Sequence, residues 1–364
     1  MKITFIISTL EKGGTERVAS LLANSLVEKG HEIFIMTLFK SNIKYNIDKR
    51  VNVVSLELEP NSKNHSLLRK FYNYIHKIFA IKKSKYFKKS DYVIGLSSDF
   101  INLALVMANF LSFLRKKIIL TIRSNPLQAR SFLIRTIIYS FYRFGYLIVV
   151  QTNFNKRFIS KYVKKEKTII IPNPIFKYFN SNQYFINKKK YNFLSVGRIN
   201  SLKNYEYIIN ELHHFKTNIS HDFKYVILGR DDGHLKIIKT QIKQLNLEDN
   251  IKIVGEVDDV VKYYNNCSFF IHGSEYEGMS NSILEAISFG IPTFSSDHDG
   301  VDEIIENNVN GILFDASKKG SLSDAITNLF QNQKKIHQIS NNAFKSSKNY
   351  RLDLVLSKWN KILK

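Results

Sequence analysis

The chain has 364 residues, 44% of them apolar and 13% aromatic, which suffices for two ordinary domains with real cores and excludes global disorder. A single cysteine, Cys267, excludes a disulfide framework and a cysteine-rich zinc site. The net charge of +23 is unevenly placed: residues 1–190 hold 34 basic and 10 acidic residues, whereas residues 191–364 hold 20 and 21. We therefore expect a negatively charged partner to meet the first half of the chain.

The start of the chain and its two most apolar windows bear on localisation. The first apolar run is only about five residues long before Glu11 and Gly13 interrupt it, so it predicts a buried strand rather than a secretory signal. The window 101–114 is too short to span a bilayer, and the window 131–150 carries two arginines. We expect a cytoplasmic protein without a transmembrane segment.

Short β-rich apolar runs alternate with longer helical patterns along the chain. The predicted strands are Lys2–Ser8, Glu32–Phe39, Tyr92–Leu96, Ile118–Ile122, Leu147–Gln151, Asn192–Val196, Lys224–Leu228, Ile251–Val254, Ser268–His272 and Pro292–Ser295. Because these runs are too apolar to alternate, they favour two α/β domains, each built on a doubly wound parallel sheet. Pro172-Asn173-Pro174 predicts a hinge between a first domain, residues 1–172, and a second, residues 173–340. Residues 341–364 predict a terminal helix with Trp359 on its apolar face.

The segment Ser66–Ser90 interleaves nine Lys, Arg and His positions with Leu, Phe, Tyr and Ile. This composition suits a helix lying on an anionic bilayer, although an ordinary amphipathic surface helix would have the same pattern. The stretch from Phe100 to Lys165, which contains no Asp or Glu, favours membrane contact. Nucleic acid is a weaker alternative, because no helix-turn-helix, zinc finger or aromatic RNA-binding signature accompanies the charge.

Two segments are candidate anion sites. Gly13-Gly14 follows the first strand and opens a helix, so backbone amides at the helix start are available to an anion, although a tight strand-to-helix turn needs the same residues. In the second domain, Arg198 and Lys203 follow the strand Asn192–Val196. Two cations beyond the carboxyl ends of parallel strands can neutralise a diphosphate, although each alone would be an ordinary surface charge.

The most specific segment runs from Ser274 to Ala286, between a strand and a helix. It places Glu277 in the loop and Glu285 about one turn inside the helix, with Gly278, Met279 and Ser280 near the positive helix end. A carboxylate accepts two hydrogen bonds side by side and so suits the vicinal hydroxyls of a ribose or a sugar. The alternative is a helix N-cap with ordinary surface glutamates.

The chain resembles the retaining GT-B glycosyltransferases of family 4 that build bacterial surface polysaccharides such as capsule, O-antigen and lipopolysaccharide. The resemblance covers nearly the full length through GGTER, IPNPI, SVGRINSLKN and EYEGMSNSILEAISFGIP. It implies two facing Rossmann-like domains with an interdomain cleft, an acceptor-side first domain and a donor-side second domain. It also implies that the terminal helix packs back on the first domain.

The resemblance implies roles for individual residues. Glu285 would bind the nucleotide ribose and Glu277 would face the donor sugar. Arg198 and Lys203 would hold the diphosphate, which the Gly13-Gly14 loop would approach from the first domain. The implied reaction is a front-face displacement in which the leaving phosphate helps to take the acceptor proton.

Two places complicate the pattern. Many relatives carry a histidine where this chain has Arg123, and an arginine stays protonated and cannot be a general base, so Arg123 would hold the donor sugar or an acceptor phosphate. Asp297-His298-Asp299 spells a metal-binding D-x-D motif, but the basic pair and the helix end already neutralise phosphates, so we expect no metal and no other cofactor. His272, Cys267 and Asp231-Asp232 have no ligand partners at recognised spacing and are expected to be structural.

We therefore predict an enzyme that moves a hexose or N-acetylhexosamine from a nucleotide-diphosphate sugar, most simply a UDP-sugar, to a lipid-diphosphate-linked glycan. The protein would sit peripherally on the anionic inner face of the plasma membrane, with no nucleic-acid partner. The alternative on the same fold is a UDP-N-acetylhexosamine 2-epimerase, which needs neither a lipid acceptor nor a basic membrane face.

Overall fold

A computed structural model describes residues 1–11, 13–62, 64–96, 98–127, 131–175, 191–219 and 223–363. These residues form two compact units, one comprising Met1–Asn173 with Val355–Lys364 and the other comprising Pro174–Leu354. Residues 176–190, the end of the basic half 1–190, lie outside the described residues. In the part of the chain that is described, no helix is long and apolar enough to cross a bilayer.

The first unit is built on a seven-stranded parallel sheet. Its strands are β1 (Lys2–Ile7), β2 (Glu32–Thr37), β3 (Asn52–Ser55), β4 (Tyr92–Gly95), β5 (Lys117–Ile122), β6 (Leu147–Val150) and β7 (Thr168–Ile170). Their order is β3-β2-β1-β4-β5-β6-β7, so the direction of chain progression reverses between β1 and β4. Such a reversal opens a crevice at the carboxyl ends of the two strands, where ligands of doubly wound sheets bind.

Among the described residues, six α-helices lie between β1 and β7 in the chain and cover this sheet. They are α1 (Gly14–Glu28), α2 (Leu67–Lys83), α3 (Lys85–Lys89), α4 (Asp99–Ser112), α5 (Phe132–Ser140) and α6 (Asn153–Ile159). Side-chain oxygens of Ser66, Ser131 and Thr152 accept from backbone amides in the first turns of α2, α5 and α6, which explains where these helices begin. One core of wholly buried apolar residues, such as Ile6, Leu105 and Leu120, joins the helices to the sheet.

The second unit repeats this plan with a six-stranded parallel sheet. Its strands are β8 (Tyr191–Val196), β9 (Phe223–Leu228), β10 (Ile251–Gly255), β11 (Phe269–His272), β12 (Thr293–Ser296) and β13 (Ile312–Phe314). Their order is β10-β9-β8-β11-β12-β13, so the reversal lies between β8 and β11. The predicted fold of two parallel-sheet α/β domains is therefore confirmed.

The helices of the second unit are α7 (Tyr205–Ile219), α8 (Leu235–Gln244), α9 (Val261–Asn266), α10 (Asn281–Ser288), α11 (Ser321–Phe330) and α12 (Gln333–Ser347). A last helix, α13 (Leu352–Ile362), closes the chain. The prediction of one helix over 341–364 is wrong, because α12 passes through residue 341 and buries Ala343 in a core of the second unit. The segment that belongs to the first unit begins at Val355, where Val355 and Trp359 are buried.

Candidate active site

The two most specific sequence segments follow the two strands that flank the reversal in the second sheet. Arg198 and Lys203 come after β8, and Glu277 comes after its neighbour β11. Because both strands are parallel, their carboxyl ends share one edge of the sheet and the two loops meet there. Lys203 and Glu277, which are 74 residues apart in the sequence, are therefore in direct contact.

Lys203 and Glu277 form the ion pair at the centre of this edge. The Lys203 ammonium donates to Oε1 of Glu277, and their side chains are only 19% and 24% exposed. An ammonium carries three donors, so this bond leaves Lys203 able to donate to a further anion. The pair is an anion-binding cation and a carboxylate held side by side.

Close backbone packing brings these two loops together. A Cβ on Gly273 would lie 2.8 Å from Ile208 of α7 and 3.2 Å from the carbonyl oxygen of Lys203, so only glycine lets the loop after β11 approach so closely. The amide of Glu275 donates to the carbonyl of Leu202 at 3.1 Å, which fastens the loop to the turn that carries Lys203. Glu277 is thus positioned by backbone contacts two to four residues before it.

The environment of Glu277 keeps it ionised. Burial alone would raise the pKa of this carboxyl, but the ammonium of Lys203 and the imidazole of His272 hold its pKa well below the usual range. Ser274 donates to Oε1 at 3.2 Å, and His272 Nε2 lies 3.6 Å from the same oxygen. An ionised carboxylate only accepts hydrogen bonds, so Glu277 is suited to bind hydroxyl groups and unsuited to act as a general acid.

The start of α10 completes this edge. Gly278, Met279 and Ser280 are buried, and Ser280 is the N-cap residue, yet its hydroxyl makes no capping bond. That hydroxyl contacts Ser282 and His272 instead, at 3.1 Å in both cases. The positive end of α10 therefore lacks a side-chain cap from Ser280, and it lies directly beyond the Glu277 loop.

Glu285 lies one turn inside α10 and is half-buried. The hydroxyl of Tyr264, on α9, donates to its Oε2 at 3.0 Å. This bond orients the carboxylate. Glu277 and Glu285 therefore each have a side chain that fixes their direction, and these side chains come from different elements.

Arg198 takes a different direction from Lys203. Its guanidinium donates to Asp232 at 3.2 Å, and its side chain is 59% exposed. Asn200 donates to the same carboxylate oxygen at 3.1 Å. The structure therefore brings Lys203 to Glu277 and pairs Arg198 with the aspartate of the next strand's loop, so the two cations do not share one partner.

In the first unit, Gly13 and Gly14 lie after β1, at the reversal of that sheet. Gly13 is the extended N-cap residue of α1, and the helix begins at Gly14. The hydroxyl of Tyr45 lies 2.7 Å from both the amide nitrogen and the carbonyl oxygen of Gly13. The carboxylate of Glu16 folds back over Gly13, where a Cβ would lie 2.2 Å from it.

Arg123 lies beyond β5, on the same edge of this sheet. Its Nη2 donates to Oδ1 of Asn173 at 2.5 Å, and Gln151 donates to the same oxygen at the same distance. Burial lowers the pKa of Arg123 to about 10 although Glu16 raises it, so the guanidinium remains protonated at neutral pH. Arg123 is a fixed cation and not a proton acceptor.

The D-x-D motif, Asp297-His298-Asp299, follows β12. Asp297 and Asp299 are exposed and flank a half-buried His298. Among the described residues, no three His, Cys, Asp or Glu side chains are grouped so that they could hold a metal ion. The imidazole of His298 instead lies near that of His272, with ring centroids 5.7 Å apart.

Two residues that contact the site were not assigned to it from the sequence. His272 was expected to be structural, yet its imidazole contacts Ser274, Ser280 and Glu277. Tyr264 also escaped notice, because it is one of 19 tyrosines and lies 21 residues from its partner Glu285. The short spacing of His272, Ser274 and Glu277 was the available signal, since all three follow one strand.

Two family models match consecutive parts of the chain. The model described as Glycosyltransferase Family 4 matches residues 12–176, and the one described as Glycosyl transferases group 1 matches residues 177–346. The two matches meet within three residues of the boundary between the two units.

Similar proteins are known by sequence and by structure. A Campylobacter jejuni enzyme, GalNAc-alpha-(1->4)-GalNAc-alpha-(1->3)-diNAcBac-PP-undecaprenol alpha-1,4-N-acetyl-D-galactosaminyltransferase, is 26% identical over 100% of this chain and 98% of its own length. The amylovoran biosynthesis glycosyltransferase AmsD of Erwinia amylovora is 22% identical over 96% of each chain. The crystal structure of Anabaena HepE with UDP and glucose has a TM-score of 0.79 at 17% identity, covering 100% of this chain and 99% of the other.

Proposed function

Because the chain belongs to the family-4 glycosyltransferases with the GT-B fold, we propose that it transfers a hexose or N-acetylhexosamine from a UDP-sugar to a lipid-diphosphate-linked oligosaccharide with retention at the anomeric carbon. The observation that carries the proposal is the Lys203–Glu277 pair at the reversal of the second sheet. It combines a cation for phosphate with an ionised carboxylate for sugar hydroxyls. The name of the Campylobacter jejuni relative, which specifies an undecaprenyl-diphosphate acceptor and an alpha linkage, supports the choice of acceptor and stereochemistry.

The proposed mechanism assigns these residues to the departing nucleotide and to the sugar. Lys203 and the amides at the start of α10 would stabilise the negative charge that develops on the leaving diphosphate. Arg198 would add its charge from the exposed side of the loop. Glu277 would accept hydrogen bonds from donor-sugar hydroxyls and Glu285 from the ribose, and the leaving phosphate would take the acceptor proton. We expect the donor to be bound without a metal.

The first unit would bind the acceptor. Arg123 is a protonated guanidinium fixed by Asn173 at the carboxyl edge of the sheet, which suits an acceptor phosphate. Gly13 and Gly14 lie on the same edge, after β1. We propose that the loop of Gly13 and Gly14 approaches the donor diphosphate.

We propose that the protein binds its acceptor at the surface of an anionic membrane. The helices α2, α4 and α5 pack side by side, and α2 and α5 expose apolar residues near their starts. Leu67 and Leu68 are 84% and 82% exposed, and Phe132 and Leu133 are 72% and 68% exposed. Both helices follow strands of a parallel sheet, so these residues lie toward its carboxyl edge. With no acidic residue from Phe100 to Lys165, the surface suits insertion into anionic lipid.

Transfer is tested with the purified chain, UDP-N-acetylgalactosamine and other UDP- and GDP-sugars, and undecaprenyl-diphosphate-linked oligosaccharides, read by mass spectrometry. We expect Glu277→Gln and Lys203→Met to lower turnover by on the order of 100-fold or more, as loss of a charge-stabilising contact does. Glu248→Gln is the matched control, because Glu248 is exposed and precedes β10 at the opposite edge of the sheet. Near-normal turnover of both site variants would contradict the assignment.

Membrane binding is tested by flotation of the full chain with vesicles. We expect binding to vesicles that contain anionic lipid, little binding to neutral vesicles, and weaker binding as salt rises. Serine at Leu67, Leu68, Phe132 and Leu133 should reduce binding. The matched control is Ile237→Ser, which removes an exposed apolar residue, 46% exposed, from the second unit. Equal loss in the control, or binding that ignores lipid charge, would refute the membrane surface.

A further inference from the structure

The imidazole of His272 is a buried titratable group next to the Lys203–Glu277 pair, and the proposed mechanism leaves it without a role. It ends β11 and is only 4% exposed. Its Nε2 lies 3.2 Å from Oγ of Ser274 and 3.1 Å from Oγ of Ser280. Both serines belong to the candidate active site.

The hydrogen-bond network determines which ring nitrogen carries the proton. Ser274 has a single hydroxyl hydrogen, and it points to Oε1 of Glu277, because an ionised carboxylate cannot donate. The Ser274 oxygen must therefore accept from His272, so the hydrogen of the imidazole is on Nε2. Burial lowers the pKa of His272 to about 4, so the ring is neutral at physiological pH and carries only this one hydrogen.

The two ring nitrogens of His272 differ in their contacts, and only Nε2 has hydrogen-bond partners among the described residues. Nδ1 of His272 is buried and takes no hydrogen bond from any described residue. An apolar side chain would fill the same space without the cost of burying an unpaired nitrogen, which is about 1–3 kcal/mol. The single hydrogen of the ring is on Nε2, which faces the hydroxyls of Ser274 and Ser280 and lies 3.6 Å from Oε1 of Glu277.

We propose that His272 is a positioning residue, which fixes the carboxylate of Glu277 through the hydroxyl of Ser274. Both hydrogen bonds that Glu277 receives from the described residues, from Lys203 and from Ser274, end on Oε1. Oε2 is left as the oxygen that meets the donor sugar. His272 orients the Ser274 hydroxyl, the Ser274 hydroxyl orients the carboxylate, and the sugar is then held in register with the diphosphate. This inference rests on the role proposed for Glu277.

Three substitutions at His272 separate positioning from space filling. The amide nitrogen of glutamine reaches about as far as Nε2, whereas that of asparagine reaches about as far as Nδ1, and leucine offers no donor. We expect His272→Gln to keep kcat within about threefold, and His272→Asn and His272→Leu to lose on the order of 10- to 100-fold, since misplacement of a substrate contact has effects of this size. KM for the UDP-sugar should rise in the same two variants.

A matched control comes from a second histidine–serine pair. Nδ1 of His214, on α7, lies 3.2 Å from the hydroxyl of Ser323, outside the candidate active site. His214→Leu removes a comparable contact and should leave kcat and KM unchanged. If kcat falls equally in the glutamine, asparagine and leucine variants of His272, or in none of them, the inference is overturned.

A double substitution tests the route through Ser274 and remains informative if one His272 variant folds poorly. In a Ser274→Ala background, His272→Asn should cause no further loss of kcat, because the link to Glu277 is already cut. A further loss as large as in the wild-type background would overturn the inference. If Glu277→Gln is inactive while the His272 series is flat, only this inference fails, whereas a fully active Glu277→Gln variant refutes the proposed function as well.

Discussion

Changing both members of the Lys203–Glu277 pair should destabilise the second unit less than changing Lys203 alone, and no more than changing Glu277 alone. Lys203→Met leaves a carboxylate that is three-quarters buried with Ser274 as its remaining donor among the described residues. Breaking a fully buried pair costs about 3–5 kcal/mol, so for this partly exposed pair we expect a loss of about 3 kcal/mol in the free energy of unfolding. Glu277→Gln keeps the volume and should cost about 2 kcal/mol.

The double variant, Lys203→Met with Glu277→Gln, should lose only about 2 kcal/mol, because no uncompensated charge remains. The coupling energy between the two positions is then about 3 kcal/mol. The assay is urea unfolding of the four proteins, followed by circular dichroism. The reference pair is Lys2 with Glu32, whose side chains are 45% and 46% exposed at 3.1 Å and whose coupling should be below about 1 kcal/mol.

Activity should not follow stability in this series. The double variant should remain inactive although it is as stable as the milder single variant, because we propose a separate contact with the donor for each side chain. A coupling energy no larger than that of the Lys2–Glu32 reference would refute the buried pair. Recovery of transfer in the double variant would refute the separate substrate contacts.

Three further predictions concern other parts of the second unit. Glu211 is buried and accepts hydrogen bonds from the amides of Gly320, Leu322 and Ser323 at the start of α11. Glu211→Ala should lower the free energy of unfolding by about 3 kcal/mol and Glu211→Gln by less, as measured by urea unfolding. Tyr264→Phe removes the bond to Glu285 and should raise KM for the UDP-sugar about fivefold with kcat nearly unchanged, so an unchanged KM would count against the ribose contact. Burial lowers the pKa of His272 to about 4 in the folded protein. Below about pH 6.5 the unfolded chain therefore binds a proton at this residue and the folded protein does not. The free energy of unfolding should fall as the pH is lowered from 6.5 to about 4, by at most about 1.4 kcal/mol per pH unit. Urea unfolding across this range should show a shallower fall in His272→Gln, and an equal fall would contradict the buried neutral imidazole.

The parallel strands were largely predictable from the sequence because they are buried on both faces. All ten predicted strands are present, within one or two residues at their ends. The three that were not predicted, β3, β7 and β13, have only three or four residues and lie at the edges of their sheets. An edge strand has one neighbour and less burial, so its sequence carries a weaker apolar signal.

The candidate site was predictable where its residues follow strands that are neighbours in a doubly wound sheet. Lys203 and Glu277 were placed at strand ends, and the order β8 next to β11 brings them into contact. The ion pair between Arg198 and Asp232 was not predictable, because the partner of a long exposed side chain depends on local geometry that the sequence does not show. His272 was expected to be structural because it has no partners at metal-ligand spacing, and its contacts with the hydroxyls of Ser274 and Ser280 are visible only in the structure.

The most direct test of the proposed function is the product formed from UDP-N-acetylhexosamine by the purified chain, with and without a lipid-diphosphate-linked acceptor. We expect sugar transfer that requires the acceptor, an alpha linkage in the product by nuclear magnetic resonance, and loss of the product in Glu277→Gln. A 2-epimer formed from UDP-N-acetylglucosamine without any acceptor, or a beta linkage in the transferred sugar, would contradict it.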